Sequence, residues 1–174
     1  MIKMTKINKV GQFEKVSFEQ FYAAMKDEFG NLFDYQKIYD ELQLPTRATS
    51  GSAGYDFHSP INFRLEPGWS IKIPTGIRVK IDDGWWLGCL PRSGLGFKYK
   101  LQLNNTMGVI DSDYYDSGNE GHIFVKLTND NREDKVLNVS AGDGFMQAIF
   151  LPYGITHDDD ADGVRDGGFG STGR

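Results

Sequence analysis

Hydrophobic residues near the start of the chain follow a helical spacing. The positions that share one helix face are Phe18, Phe21, Tyr22, Met25 and Phe29. Ser17 precedes this stripe and Gln20 follows three residues later, which is the spacing of a capping box, so the sequence predicts a helix that begins after Ser17 and ends at Gly30. A weaker stripe over residues 35–42 predicts a second helix, which Pro45 ends.

From about residue 52 the hydrophobic spacing changes to two, which is typical of half-buried strands. Residues 71–73 and 77–81 flank the turn sequence Pro74-Thr75-Gly76, and this pattern predicts a β-hairpin. Further short alternating runs follow, with turn sequences between them and 21 glycines in the chain. The pattern therefore favours an antiparallel all-β sandwich or barrel.

These patterns divide the chain into three predicted parts. Residues 1–43 are expected to form a helical N-terminal extension, and residues 44–155 the β core. Residues 156–174 have almost no apolar periodicity and end in a Gly-rich stretch, so we expect them to form a flexible C-terminal arm.

Composition and charge exclude several classes of protein. The net charge is −5, with 19 Lys and Arg against 24 Asp and Glu, which is unlike a protein that binds nucleic acid polymers. No stretch approaches 18 apolar residues and no signal peptide is visible, so we expect a cytoplasmic protein without a membrane partner. The single cysteine, Cys89, excludes a disulfide scaffold and a multi-cysteine zinc site.

Four segments carry an unusual density of Gly, Asp, Ser and Arg. They are residues 52–56, 91–95, 108–114 and 167–173. Each segment alone is more typical of a turn or an unstructured tail, and only the set indicates a site. Gly-flanked hydroxyls and Arg can bind phosphates, and a carboxylate such as Asp111 or Asp56 can activate a water. Because Tyr114 and Phe169 can stack on a sugar or base, the set predicts a hydrolase that acts on a nucleotide.

The order of these segments resembles the homotrimeric dUTP pyrophosphatases, or dUTPases. The family has five ordered motifs, and counterparts of all five lie within residues 44–174. They are Ala53-Gly54-Tyr55-Asp56, Pro91-Arg92-Ser93-Gly94-Leu95, residues 108–114, Gly142-Asp143-Gly144-Phe145-Met146-Gln147 and the Gly-rich tail. The second, third and fifth motifs are the specific ones.

The resemblance implies a jelly-roll fold of the β-clip type and a homotrimer with active sites at the subunit interfaces. It implies hydrolysis of dUTP to dUMP and pyrophosphate by attack of water on the α-phosphorus. This reaction limits uracil incorporation into DNA and supplies dUMP for dTMP synthesis. It also implies a Mg²⁺ ion that the triphosphate holds and that Asp56 reaches through water.

The resemblance further implies a role for individual residues. Asp111 would activate the attacking water, and Tyr114 would pack against the deoxyribose and exclude a 2′-hydroxyl. Asn105 and Gly108 would bind the uracil, over which Phe169 would stack. The residues implied to bind phosphate are Arg92, Ser93, Gly94, Gln147, Arg165, Gly170, Ser171 and Thr172.

The sequence departs from the family pattern in four places. Gly144 stands where motif four usually has a basic residue, and Arg165 lies four residues before Phe169 rather than five. About five residues, 116–120, are added next to the base pocket, and about 40 residues precede the usual start.

Two other functions remain open at this point. One is a regulatory protein-binding module with a dUTPase fold, which the extension and the added residues 116–120 would serve. The other is dCTP deaminase, which shares the fold but needs a different catalytic acid and would release ammonia.

Overall fold

The computed structural model of the chain describes residues 7–165 and Gly167. Eleven strands, three α-helices and one 3₁₀ turn lie within this part. In chain order they are β1 Gly11–Lys15, α1 Phe18–Phe29, α2 Tyr35–Glu41, β2 Tyr55–His58, β3 Phe63–Leu65, β4 Ser70–Pro74, β5 Ile77–Ile81, β6 Trp85–Pro91, α3 Ser93–Tyr99, β7 Leu101–Leu103, β8 Gly108–Ile110, the 3₁₀ turn Ser112–Asp116, β9 Phe124–Asn129, β10 Leu137–Val139 and β11 Gly144–Pro152.

The strands form the predicted all-β jelly-roll. The largest sheet has the order β2-β11-β6-β8, and its neighbours are β4-β9-β7, β1-β5 and β10-β3. All strand pairs in the described part are antiparallel. One hydrophobic core lies between the sheets, with Phe57, Leu87, Leu127 and Phe145 almost completely buried. No helix in residues 7–165 is long and apolar enough to cross a membrane.

The segment predicted as a helical extension, residues 1–43, contains a strand as well as the two helices, and this strand, β1, belongs to the β-structure. Its five residues pair with β5, from Gly11 opposite Ile81 to Lys15 opposite Ile77. Phe13 of β1 packs edge-on against Phe57 of the core, with ring centroids 5.6 Å apart. The two helices therefore lie between strands in the chain rather than before them.

Helix α1 begins and ends where the sequence predicts. The Ser17 side chain accepts a hydrogen bond from the Gln20 backbone N–H, and Gly30 ends the helix with a φ of 64°. The reciprocal bond of the capping box has a different partner from the one expected. The Glu120 carboxylate, rather than the Gln20 side chain, accepts from the Ser17 backbone N–H at 2.8 Å and from its hydroxyl at 2.6 Å.

The predicted hairpin of β4 and β5 is wrong. These strands are consecutive in the chain, but β4 pairs with β9 and β5 pairs with β1. The turn between them is held from the side, since the Thr75 N–H and hydroxyl both donate to the Ile123 carbonyl. The turn residues correctly indicate a change of chain direction, but the pairing of β4 and β5 depends on strands elsewhere in the chain, β9 and β1.

A buried histidine joins α1 to the β-structure. His122 is fully buried, and its Nε2 accepts a 2.8 Å hydrogen bond from the Gly76 N–H. Its Nδ1 lies 3.4 Å from the side-chain nitrogen of Gln20 on α1. Burial lowers the pKa of His122 from 6.5 to about 4, although the nearby Glu120 carboxylate opposes this shift.

We expect the free energy of unfolding to fall as the pH drops from about 6.5 towards 4. The His122 imidazole of the unfolded chain takes up a proton in this range, whereas the folded one stays neutral. Between pH 7 and pH 5 the loss should be about 2 kcal/mol, as measured by urea unfolding. In His122→Gln this part of the pH dependence should disappear.

The control is His157→Gln, because His157 is exposed in the structure. It should retain the wild-type decline between pH 7 and pH 5. An equally steep decline in His122→Gln would contradict the assignment.

Candidate active site

Residues of motifs one, two and four meet at one end of the largest sheet. Gln147 of β11 lies opposite Asp56 of β2. Arg92, which directly precedes α3, forms an ion pair from Nε to Asp56 Oδ1 at 3.1 Å and donates a hydrogen bond from Nη1 to the Gly144 carbonyl at 3.2 Å. The predicted phosphate residues Ser93 and Gly94 follow Arg92 and are exposed. We call Asp56, Arg92, Ser93, Gly94 and Gln147 the arginine group.

Two features of the arginine group were not expected from motifs that resemble turns. The second motif does not form only a turn, because Ser93 is the first residue of α3. At Gly54 an added Cβ atom would lie 2.6 Å from Gln147 Oε1, so this glycine gives the Gln147 side chain its place.

Gly144 gives the Arg92 side chain its place in a similar way. A Cβ atom at residue 144 would lie 2.7 Å from Arg92 Nη1 and 3.1 Å from Arg92 Cδ. The departure from a basic residue at this position therefore has a physical consequence. Without a side chain at residue 144, Arg92 can approach the β11 backbone and bind its carbonyl.

Residues of the third motif form a second group. Asp111 follows β8 and accepts from Arg165 Nη2 at 2.5 Å, while Arg165 Nε donates to Asp113 Oδ1 at 2.8 Å. The Arg165 guanidinium also lies 5.7 Å from the centre of the Tyr114 ring. The structure thus places Arg165 with Asp111, Asp113 and Tyr114, which together we call the aspartate group, and not with the arginine group.

Tyr114 is a buried member of the aspartate group. Its hydroxyl donates to the His122 carbonyl at 2.8 Å and accepts from Asn119 Nδ2 at 2.8 Å. Desolvation by burial raises the pKa of Tyr114, so the ring stays neutral and keeps its proton for this hydrogen bond.

The predicted uracil residues lie beside an open cavity of about 560 Å³. Gly108 of β8 is buried opposite Cys89, and Asn105 lies in the exposed turn before β8. An added Cβ at Gly108 would approach Cys89 Cβ to 3.1 Å and Asn105 Nδ2 to 3.9 Å. The polar lining of the cavity comes from Asn104, Asn105, Lys72 and Lys126, and the rest of its wall is largely apolar, which suits a planar heterocycle with polar edges.

One chain does not bring the two groups together. Strand β11 pairs with β6 so that Met146 lies opposite Pro91, whereas β8 pairs with β6 so that Ile110 lies opposite Leu87. Arg92 therefore lies just beyond the C-terminal end of β6, whereas Asp111, which follows β8, lies beside the N-terminal end of β6. At about 3.3 Å per residue, the two positions are about 20 Å apart along the strand.

Four residues with predicted roles, Phe169, Gly170, Ser171 and Thr172, lie outside the described part of the chain. Sequence reasoning missed the side chains that hold Tyr114 and the turn around it. Asn119 binds the Tyr114 hydroxyl, Glu14 binds the neighbouring Tyr115, and Glu120 binds Ser17. The capping-box spacing at Ser17 was a local signal, but nothing in the sequence connects it with Glu120.

Comparison with known proteins defines the class. The dUTPase family model matches residues 40–173, and the chain belongs to this family. It is 40% identical over 147 residues to a deoxyuridine 5'-triphosphate nucleotidohydrolase of Glaesserella parasuis, covering 80% of this chain and 93% of that protein. It is 37% identical to the Escherichia coli K12 protein of the same name, covering 79% of this chain and 92% of that protein.

Solved structures agree with this family. The dUTPase from Streptococcus mutans is 30% identical, has a TM-score of 0.61, and the match covers 83% of this chain and 97% of that chain. A mutant of the dUTPase from phage phi11 of S. aureus, which coordinates a structural Mg(II) ion, has a TM-score of 0.60 and is 19% identical. That match covers 89% of this chain and 98% of the phage chain, and it supports the fold alone.

We expect Gly144→Ala to displace the Arg92 side chain without unfolding the protein, because the clash is with the end of a flexible side chain. Loss of a charged hydrogen-bond donor should weaken binding of inorganic pyrophosphate about 10-fold, as measured by calorimetry. Gly154→Ala is the control, since an added Cβ there meets no atom within 4 Å. Equal affinity in both variants would contradict the role of Gly144.

Proposed function

We propose that this protein hydrolyses dUTP to dUMP and pyrophosphate. The proposal rests on one observation: in a chain of the dUTPase family, the described motif residues form two groups of polar side chains together with a cavity. The arginine group offers cationic and amide donors for a triphosphate, and the aspartate group offers a carboxylate beside an aromatic ring. The cavity with Asn105 and Gly108 suits the base.

Asp111 acts as the general base. Its carboxylate accepts a proton from the attacking water, whose oxygen then forms the new bond to the α-phosphorus. The bond from the α-phosphorus to the bridging oxygen breaks, and pyrophosphate leaves with the electron pair. Arg165 Nη2 binds Asp111 Oδ2, and the carboxylate has further acceptor positions at which a water can bind while this ion pair is in place.

Arg92 and Gln147 orient the phosphate chain. Asp56 and the Gly144 carbonyl already hold the Arg92 side chain in place. Less side-chain conformational entropy is therefore lost when a ligand binds. Gln147 Nε2 donates to the Pro91 carbonyl at 3.3 Å, which holds its amide beside Arg92.

Asp56 is the proposed contact for Mg²⁺. Within residues 7–165 and Gly167, no cluster of His, Cys, Asp and Glu side chains could hold a metal ion by itself. A lone carboxylate nevertheless fits Mg²⁺, which usually keeps several waters and binds substrate phosphates. When bound, the ion would neutralise charge on the triphosphate.

We further infer a homotrimer whose active sites combine groups from different chains. The separation of Arg92 and Asp111 along β6 supports this arrangement, because a ligand held by one chain's Arg92 would meet Asp111 only from another copy. A closed ring of three identical contacts would form three such sites.

The direct test of the proposed function is the release of pyrophosphate from dUTP, dTTP, UTP and dCTP, measured side by side. We expect activity on dUTP and little on the other three. Ammonia release from dCTP without pyrophosphate would instead indicate the deaminase.

Asp111→Asn should lower kcat for dUTP by about 10² to 10⁴, because the amide cannot accept the water proton. Binding of dUTP should change little, since the side chain keeps its shape. Asp113→Asn is the matched control, because Asp113 shares Arg165 with Asp111 but is not the proposed base. Near-wild-type turnover in Asp111→Asn would exclude the assignment.

Mixing two inactive variants tests the composite site. Asp111→Asn and Arg92→Ala chains, unfolded together and refolded, should form mixed trimers in which about a quarter of the sites combine an intact Arg92 with an intact Asp111. We therefore expect about a quarter of the wild-type activity. No recovery in verified mixed trimers would show that both groups act within one chain.

A further inference from the structure

The turn that follows Asp111 forms one hydrogen-bonded unit. Ser117 Oγ donates to the Tyr114 carbonyl at 2.7 Å, and the Gly121 N–H donates to Ser117 Oγ at 3.2 Å. The hydroxyl of Tyr114 is bonded to Asn119 and to the His122 carbonyl. The position of Tyr114 is therefore tied to that of residues 117–122, which include most of the residues added to the family pattern.

Glu120 anchors this unit to the N-terminal segment. Its two carboxylate oxygens accept from the N–H and the hydroxyl of Ser17, at 2.8 and 2.6 Å. Ser17 caps α1, so the negative charge lies at the positive end of the helix. Glu120 has a φ of 58°, a left-handed conformation that costs free energy for any residue other than glycine and persists only where contacts hold it.

A second anchor lies directly beside Tyr114. The Tyr115 hydroxyl donates to Glu14 Oε2 at 2.7 Å, and the Arg78 guanidinium lies 4.2 Å from the Tyr115 ring centre. Arg78 Nη2 also binds Glu14 Oε2 at 3.0 Å. Glu14 belongs to β1 and Arg78 to β5, so this anchor rests on paired strands.

We propose that Glu120 and Glu14 are positioning residues for Tyr114 and Asp111, and that they act through the N-terminal segment. This inference rests on the proposed function, because it concerns the reaction of the same site. The added residues 116–120 and the helix that begins after Ser17 then act together, because Glu120 and Ser17 join them. Its effect is to fix the aromatic ring and the carboxylate relative to each other.

Sugar selection is the property that depends most on this positioning. A deoxyribose differs from a ribose by one hydroxyl, and the Tyr114 ring can sense that difference only if it does not shift. Displacements of about 1 Å can change rates by up to about 100-fold. Loosening the anchors should therefore affect discrimination between dUTP and UTP as well as kcat.

The test compares kcat/KM for dUTP and UTP in Glu120→Asn and Ser17→Ala. Asn tolerates the left-handed backbone at residue 120, but its shorter side chain cannot reach Ser17 in the same way. We expect the dUTP preference to fall about 10-fold in both variants. Ser17→Thr keeps the hydroxyl and should restore the wild-type preference.

Asp34→Ala is the matched control. Asp34 caps α2 as Ser17 caps α1, because its carboxylate accepts a hydrogen bond from the Lys37 backbone N–H at 3.1 Å. This exposed residue should leave the dUTP preference unchanged. An unchanged preference in Glu120→Asn, or an equal loss in Asp34→Ala, would overturn the proposal.

Hydrogen exchange separates this proposal from the proposed function. The amides of Tyr114 and Ser117 donate to backbone carbonyls within the turn, and they should exchange at least about 10-fold faster in Glu120→Asn than in wild type. If wild type does not hydrolyse dUTP, the proposed function fails, while this measurement still decides whether Glu120 holds the turn. Unchanged exchange at both amides would overturn the positioning role.

Discussion

Strand β6 is hydrogen-bonded along both edges, and this double pairing determines where the chemistry of the chain lies. Its partner β11 pairs along all of β6, from Met146 opposite Pro91 to Pro152 opposite Trp85, whereas its partner β8 ends with Ile110 opposite Leu87. The β2–β11 pairing then brings Asp56 to the arginine group, and the end of β8 delivers Asp111 to the opposite side. Because paired strands cannot slide without losing their whole register, the two groups cannot approach each other within one fold. A second chain is the simplest way to join them.

The pairing of β1 with β5 has a similar effect on the helices. Since β1 ends at Lys15 inside the β-structure, the chain has to leave and return before β2, and α1 and α2 occupy that excursion. Their apolar faces cover the Gly76 turn so closely that an added Cβ there would lie 2.4 Å from Leu42. The helices thus pack against a turn that a larger residue could not form.

The sequence predicts features whose causes are local, and it fails where the cause is a distant partner. Ser17 and Gly30 mark the helix ends through short-range capping, and both predictions are confirmed. The β4–β5 hairpin is wrong because β9 and β1 compete for the two strands. For the site, the motif resemblance identifies Asp56, Arg92 and Gln147, which the structure groups together, but it does not show that β6 separates them from Asp111.

The bonds between Glu120 and Ser17 make two segments that are distant in the sequence energetically dependent on each other. Without Glu120, the Ser17 N–H at the start of α1 would lose its acceptor, and without α1 the Glu120 carboxylate would lose both of its donors. These hydrogen bonds also lower the pKa of Glu120, so the carboxylate stays charged where the helix favours a negative charge. A charged group that keeps its partners is stabilising, whereas one that loses them pays for its desolvation. The turn that contains Glu120 and the helix that Ser17 caps are therefore more stable together than either would be alone, and the same turn holds Tyr114 in its buried place close to Asp111.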